Sequence, residues 1–399
     1  KTFLIYQGFN QLKNVASQVI EEMVGVEEQM VSIDRVMENG LTNVDRYRNK
    51  LIQLAEDYGN TFSNVADITL RLAQAGFDEQ ESLALTEKTL LALNTADLNA
   101  TQATSDMIAV MAQWGLMTGD ATKEAEDYGA IIDKINKVAD HFPTTSEDIM
   151  AALKKTSSAF NLAGASIDET IATIVAAEKA SQRGGKEIGT ALSNIIQQLK
   201  ETKKIGIAED LGISFYTDET KTEFKDIMTI FSELSAKMQQ LKNDGKESST
   251  EMQELLNIFT VFRRNIGASL LGEMAGEDST YAKVLETSIN SLGYSLEENT
   301  KYMSTAKAAQ AQLNAELMKL KTEVWDGGLE QVYRNLLSTG KDMLSWLGDV
   351  IKDVGVLPAT IGAVTLAVTA LNTKVDVASI KTLITKIKEI NVAIVASKE

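Results

Sequence analysis

Two prolines in 399 residues, Pro143 and Pro358, leave almost nothing to stop an α-helix through a missing amide or a locked φ. Ala, Leu, Ile, Lys, Glu and Gln dominate the remainder, a composition that favours long helices. The 25 glycines act against length, because each weakens a helix interior by about 1 kcal/mol relative to alanine and many belong at helix C-termini. The chain is therefore predicted to be all-α, a multi-helix bundle of helical hairpins and not one rod. Its 44% hydrophobic content suffices for a sizeable core. Its length allows about two to four domains.

Apolar residues spaced by three or four run along Val15, Val19, Met23, Val26, Met30, Ile33 and Met37, so the stretch from Leu12 to Asp57 reads as one amphipathic helical stripe. A coiled-coil-like arm and a helix packed on a bundle both fit it, since Gly25 and the methionines loosen the seam. Between Tyr58 and Leu199 the helices shorten. Their starts are marked by a polar cap and an acid three residues on: Asp78 with Glu81, Thr145 with Asp148, Ser166 with Glu169. Stripes such as Ile131, Ile135, Val138 and Phe142, or Ile188, Leu192, Ile195 and Leu199, turn one face inward. Two similar turns, at Ala75-Gly76-Phe77 and Ala163-Gly164-Ala165, lie 88 residues apart and hint at a duplicated hairpin.

Past Gly206, the patch Ile213-Ser214-Phe215-Tyr216-Thr217 suits a brief strand or an extended turn. Helices are predicted to resume at Thr220 with Glu223 and at Ser248 with Glu251. A long helix is predicted from Ser295 to Trp325, stopping at Gly327-Gly328. Along it, Leu313, Leu317 and Leu320 are candidate packing or oligomer contacts. The predicted division is 1–57 for the arm, 58–205 for a core bundle, 206–345 for a second helical region and 346–399 for a hydrophobic helical hairpin.

Val354 to Thr373 is uncharged for twenty residues, with Val354, Val356, Leu357, Ile361, Val364, Leu366, Val368 and Leu371 as its apolar positions. At about 1.5 Å per residue such a helix spans a bilayer core of about 30 Å. Its threonines, Asn372 and two glycines fit a buried hairpin equally well, so both readings stand. The net charge of −17, from 39 basic and 56 acidic residues, excludes tight nucleic-acid binding, although residues 374–399 reverse the sign to +2. That basic run suits a membrane-proximal segment or a solvated helix face.

Chemistry is sparse. Without cysteine there is no disulfide or thiolate, and the single histidine, His141, has no partner set for a metal site or triad. Arg183-Gly184-Gly185-Lys186-Glu187 lacks the earlier glycine and the Ser or Thr of a phosphate loop, and reads as a helix-to-helix turn. Arg263 and Arg264, amid Phe259, Val261, Phe262 and Ile266, are candidate ion-pair anchors or partner contacts. No catalytic, cofactor or metal residue is expected. The start at Lys1-Thr2-Phe3-Leu4, without methionine or a signal-peptide pattern, suggests a piece of a longer protein.

The order of features resembles the core of the tail tape measure proteins of long-tailed phages of Gram-positive hosts, prophages and tailocins. The residues that carry the likeness are Tyr58-Gly59-Asn60-Thr61-Phe62-Ser63-Asn64-Val65-Ala66, then Leu72-Ala73-Gln74-Ala75-Gly76-Phe77. They continue with Ala163-Gly164, Ile167-Asp168-Glu169-Thr170, Gly184-Gly185 leading to Gly189-Thr190-Ala191-Leu192, Arg264-Asn265-Ile266-Gly267-Ala268, and the span from Ser288 to Leu320. The resemblance implies a non-enzymatic protein that lies in the tail lumen or tip as a homo-oligomer, often a trimer. It implies a role in setting tail length and in nucleating the tube with the tube protein, tail assembly chaperones and distal tail or baseplate hub proteins. It also implies release on infection to help DNA through the envelope, with the host membrane as a further partner. Competing readings are a pore-forming, toxin-like helical protein and a coiled-coil scaffold.

Overall fold

The computed structural model describes residues 2–96, 98–260, 263–326 and 330–339, with side chains described from Val19 onward apart from 324, 331, 332, 335, 336 and 339. The uncharged stretch with Val354 to Leu371, and the hydrophobic hairpin expected there, lie outside the described residues. The helices are α1 (Thr2–Val36), α2 (Val44–Asp57), α3 (Phe62–Gln74), α4 (Glu79–Thr95), α5 (Ala100–Gln113), α6 (Ala121–His141), α7 (Ser146–Leu162), α8 (Ile167–Ser181) and α9 (Gly185–Leu199). They continue as α10 (Thr202–Asp210), α11 (Ile227–Asn243), α12 (Thr250–Asn257), α13 (Arg264–Glu273), α14 (Thr280–Ile289), α15 (Tyr294–Met303), α16 (Ala306–Val324) and α17 (Glu330–Thr339). The fold is all-α. The patch at Ile213–Thr217 forms an extended turn held by a single antiparallel bridge, Tyr216 to Phe224, with no strand among the described residues.

The chain forms two compact units. One takes the described parts of 1–35, 40–66 and 306–399; the other takes 36–39 and 67–305. In the first, the α1 stripe is buried at Val19, Met23, Val26, Met30 and Ile33. The helix does not run on to Asp57 as its periodicity predicts. It stops at Val36, Gly40 takes φ 66°, and the Asp34 carboxylate accepts the Leu41 amide at 2.7 Å before Asn43 caps α2. Helices α2 and α16 pack together. Trp325 is buried and donates its indole N–H to Glu27 at 3.2 Å, and Arg334 binds both Glu27 oxygens.

Charge zips this unit. Lys319 pairs with Glu56, Lys321 with Glu22, and the buried Arg48 with Asp326 at 2.5 Å. Exposed pairs of this kind contribute about 0–1 kcal/mol each, so apolar burial dominates. Asp326 is half-exposed and stays solvated without its partner. Arg48→Met is therefore expected to lie within about 1 kcal/mol of the parent, whereas Arg48→Ala leaves a void and costs about 2 kcal/mol. Urea unfolding of both variants checks this. Leu320 is buried, while Leu313 and Leu317 are half-buried; Leu317 lines a groove of about 560 Å³ with Gly25, Val26, Phe62, Ala315 and Met318.

In the second unit α8 is the centre. Every residue from Thr170 to Glu178 is buried, as expected of a helix covered on all sides, here by α7, α9, α13 and α14. Its threonines tolerate this because their hydroxyls return to their own helix, Thr170 to the Ser166 carbonyl and Thr173 to the Glu169 carbonyl, each at 2.7 Å. Around it α4 packs on α6, α5 on α7, and α15 against both α4 and α6.

The two Ala-Gly turns have one geometry. At each, the residue after the glycine donates back five positions, Phe77 to the Leu72 carbonyl and Ala165 to the Phe160 carbonyl, and a capping box then opens the next helix from Asp78 or Ser166. Three predicted helix starts are corrected. Thr220 begins no helix, because its hydroxyl and that of Thr222 turn onto the Asp218 carboxylate; α11 starts at Ile227, capped by Asp226. Ser249, not Ser248, caps α12. Ser295 lies inside α15, whose N-cap is Gly293, and the expected long helix to Trp325 is broken at Ser304 and Thr305 into α15 and α16.

Candidate functional site

Helices α7, α8 and α9 meet at a junction that collects the motif residues. The helices α7 and α9 approach so closely that a Cβ at Gly185 would stand 1.8 Å from the Asp148 carbonyl oxygen, and one at Gly189 would stand 2.6 Å from that of Ala152. Only hydrogen fits there. The contact is locked by Asp148: its Oδ1 accepts the Gly185 amide at 2.8 Å, and its Oδ2 accepts the Thr145 hydroxyl at 2.9 Å. The motif glycine on α13 has a comparable cause, since a Cβ at Gly267 would meet the Phe259 ring at 2.5 Å.

Beside this contact lies Glu178, 6% exposed near the end of α8. Thr144 donates its hydroxyl to Glu178 Oε2 at 2.6 Å, and Oε1 has no partner. Burial pushes the Glu178 carboxyl up to about 7; the Thr144 bond opposes this and the Asp148 charge adds to it. A second polar seam binds α6 to its neighbours. Asp133 accepts the Gly293 amide at 2.6 Å and the Ser295 amide at 2.8 Å, so it caps α15 from another helix. Asn136 receives the Ser146 hydroxyl at 3.0 Å and donates to Thr95 and Ser295. Lys134 and Ser288 both bind Asp168 Oδ1, each at 2.6 Å.

Among the residues singled out in the sequence, His141 ends α6 on the surface, with Nδ1 2.8 Å from the Lys137 carbonyl and its ring edge-on to Tyr294. The Arg183–Glu187 segment is a helix-to-helix turn, with Arg183 paired to Glu187. Arg264 donates to the Asn257 side chain at the end of α12, where Lys204 also binds the Asn257 carbonyl at 2.6 Å. Arg263 lines a shallow cleft with Asp148, Gly184, Lys186, Glu187 and Thr190. No group of acids and histidines able to hold a metal occurs among the described residues. Sequence reading passed over Asp133, Asn136 and Glu178. Each carried a signal, for Asp133 and Asn136 interrupt the inward stripe of Ile132 and Ile135, and Glu178 ends the apolar run from Ile174 to Ala177.

Fold and site together describe a helical packing module, whose singular positions are tight helix contacts and buried caps. The model for the phage-related minor tail protein family matches residues 48–256, from α2 through α12, and the chain belongs to that family. It is thus a phage tail protein, a component of the virion tail associated with other tail proteins. No solved structure matches the chain.

Proposed function

We propose that this chain is a segment of a tail tape measure protein, a homo-oligomer, most simply a trimer, in the tail lumen and tip. The carrying observation is membership of the minor tail family across residues 48–256. In this reading the full-length protein sets tail length and nucleates the tube with the tube protein and assembly chaperones. It engages the distal tail or baseplate hub, leaves the tube on infection, and helps the genome through the envelope. This 399-residue segment is a tip-proximal part and not the main ruler. As one continuous helix it would reach only about 600 Å, and its division into short helices shortens it greatly. A surface of net charge −17 suits a plug that slides past other acidic surfaces and does not hold DNA.

The test is genetic. Removing whole helical turns in frame from the extended part of the full-length gene should shorten the tails in proportion, about 1.5 Å per residue, measured by electron microscopy. Tails of unchanged length would refute the ruler. The rival membrane-acting, toxin-like reading rests on the stretch from Val354 to Leu371; among the described residues no helix is long and apolar enough to cross a membrane.

A further inference from the structure

We propose that Glu178 is a proton-operated latch: with the carboxyl neutral, the junction of α7, α8 and α9 stays closed, and with it ionised the start of α7 and the Gly184–Gly185 turn open. The geometry leaves the carboxylate without compensation. It is buried, one oxygen has only the Thr144 hydroxyl, and the other has nothing. Charged groups on the helices packed against α8 make their bonds to other partners and none to Glu178. From α7, Asp148 is itself an anion, holding the Gly185 amide and the Thr145 hydroxyl. At the turn into α9, Arg183 pairs with Glu187, and Lys186 lines the open cleft with Arg263. Lys179, the neighbour of Glu178 on α8, turns to Glu273 of α13 and Thr280 of α14, where Lys283 pairs with Asp278. From α6, Lys134 binds Asp168 at the opposite end of α8. Among the described residues no cation bonds Glu178.

The same segment carries the close approach of α9 to α7 at Gly185. An added negative charge at Glu178 pushes against Asp148, whose carboxylate fastens α9 to α7. In the closed junction the carboxyl titrates at about 7, against an ordinary value of 4.5 when it is free. The closed form therefore binds the proton more tightly. Closure is fully favoured below about 4.5, and its advantage is lost progressively as pH rises from there through about 7.

Hydrogen–deuterium exchange of the full chain at about pH 5.5 and about pH 8, corrected for intrinsic rates, reads this directly. Peptides covering residues 143–150 and 182–189 should be on the order of tenfold more protected at the lower pH, while distant helices change little. Glu178→Gln should abolish the difference. Thr144→Val keeps the carboxylate but removes its one donor, so the transition should move to higher pH. The proposal is overturned by equal protection at both pH values, by a Glu178→Gln protein that keeps the parent's dependence, or by a Thr144→Val midpoint that stays in place.

Discussion

Gly185→Ala is expected to remove at least about 3 kcal/mol from the second unit, since its added methyl meets the closest obstacle of any described glycine. The new Cβ would meet the backbone of Asp148 at three atoms, 1.8, 2.4 and 2.7 Å away, and backbone cannot rotate aside as a side chain can. Relief requires α9 to move off α7, which also breaks the Gly185 amide bond to Asp148 and unpacks Ile188, Leu192 and Ile195. Gly189→Ala should behave similarly, with Ala152 as the obstacle. The control is Gly206→Ala in α10, where nothing lies within 4 Å of the added methyl. That change should stabilise by about 0.5–1 kcal/mol through helix propensity alone. Urea unfolding followed by circular dichroism measures all three. A Gly185→Ala midpoint equal to the parent's would show that the two helices have room to separate.

Asp133→Ala is the second large effect. Both oxygens of this buried carboxylate accept amides at the start of α15, and their removal orphans the Gly293 and Ser295 N–H groups. Charge-assisted bonds contribute about 1.5–3 kcal/mol each and are not additive, so a loss of about 3 kcal/mol is expected. The damage should be local first. α15 packs on α4 and α6, and without its cap its amides from Gly293 to Met303 should exchange much faster while α8 stays protected. Asp133→Asn keeps one acceptor and should fall between. Unchanged exchange in α15 would mean that its packing holds it without the cap.

These two sites show what the sequence can and cannot disclose. Helix starts with a local mechanism were legible: Asp78 with Glu81 and Ser166 with Glu169 form the expected boxes, because cap and acid are three residues apart. The buried positions of α1 followed from spacing alone. Thr220 failed because a nearer competitor, Asp218, captures its hydroxyl. The break at Ser304 and Thr305 carried no proline or glycine to announce it. At the junction, Gly185 and Gly189 were recognisable as a motif, but not for their reason, which lies on α7 about 37 positions earlier. Asp133 finds its amides 160 residues away, a separation that no periodicity reports.

The first unit is assembled from pieces that flank the second, residues 67–305 being threaded between its early and late helices. On the ribosome, α1 emerges with its methionine stripe bare, and α16, which reaches it through Lys321 on Glu22 and Thr322 on Met23, begins roughly 270 residues later. At about 5–20 residues per second that interval is about 14–54 s, during which the inserted unit is made and its early helices can pack on one another. The middle of the chain is thus able to gather its own packing partners before the beginning can. During that wait the exposed stripe of the nascent chain is the surface most in need of a guardian.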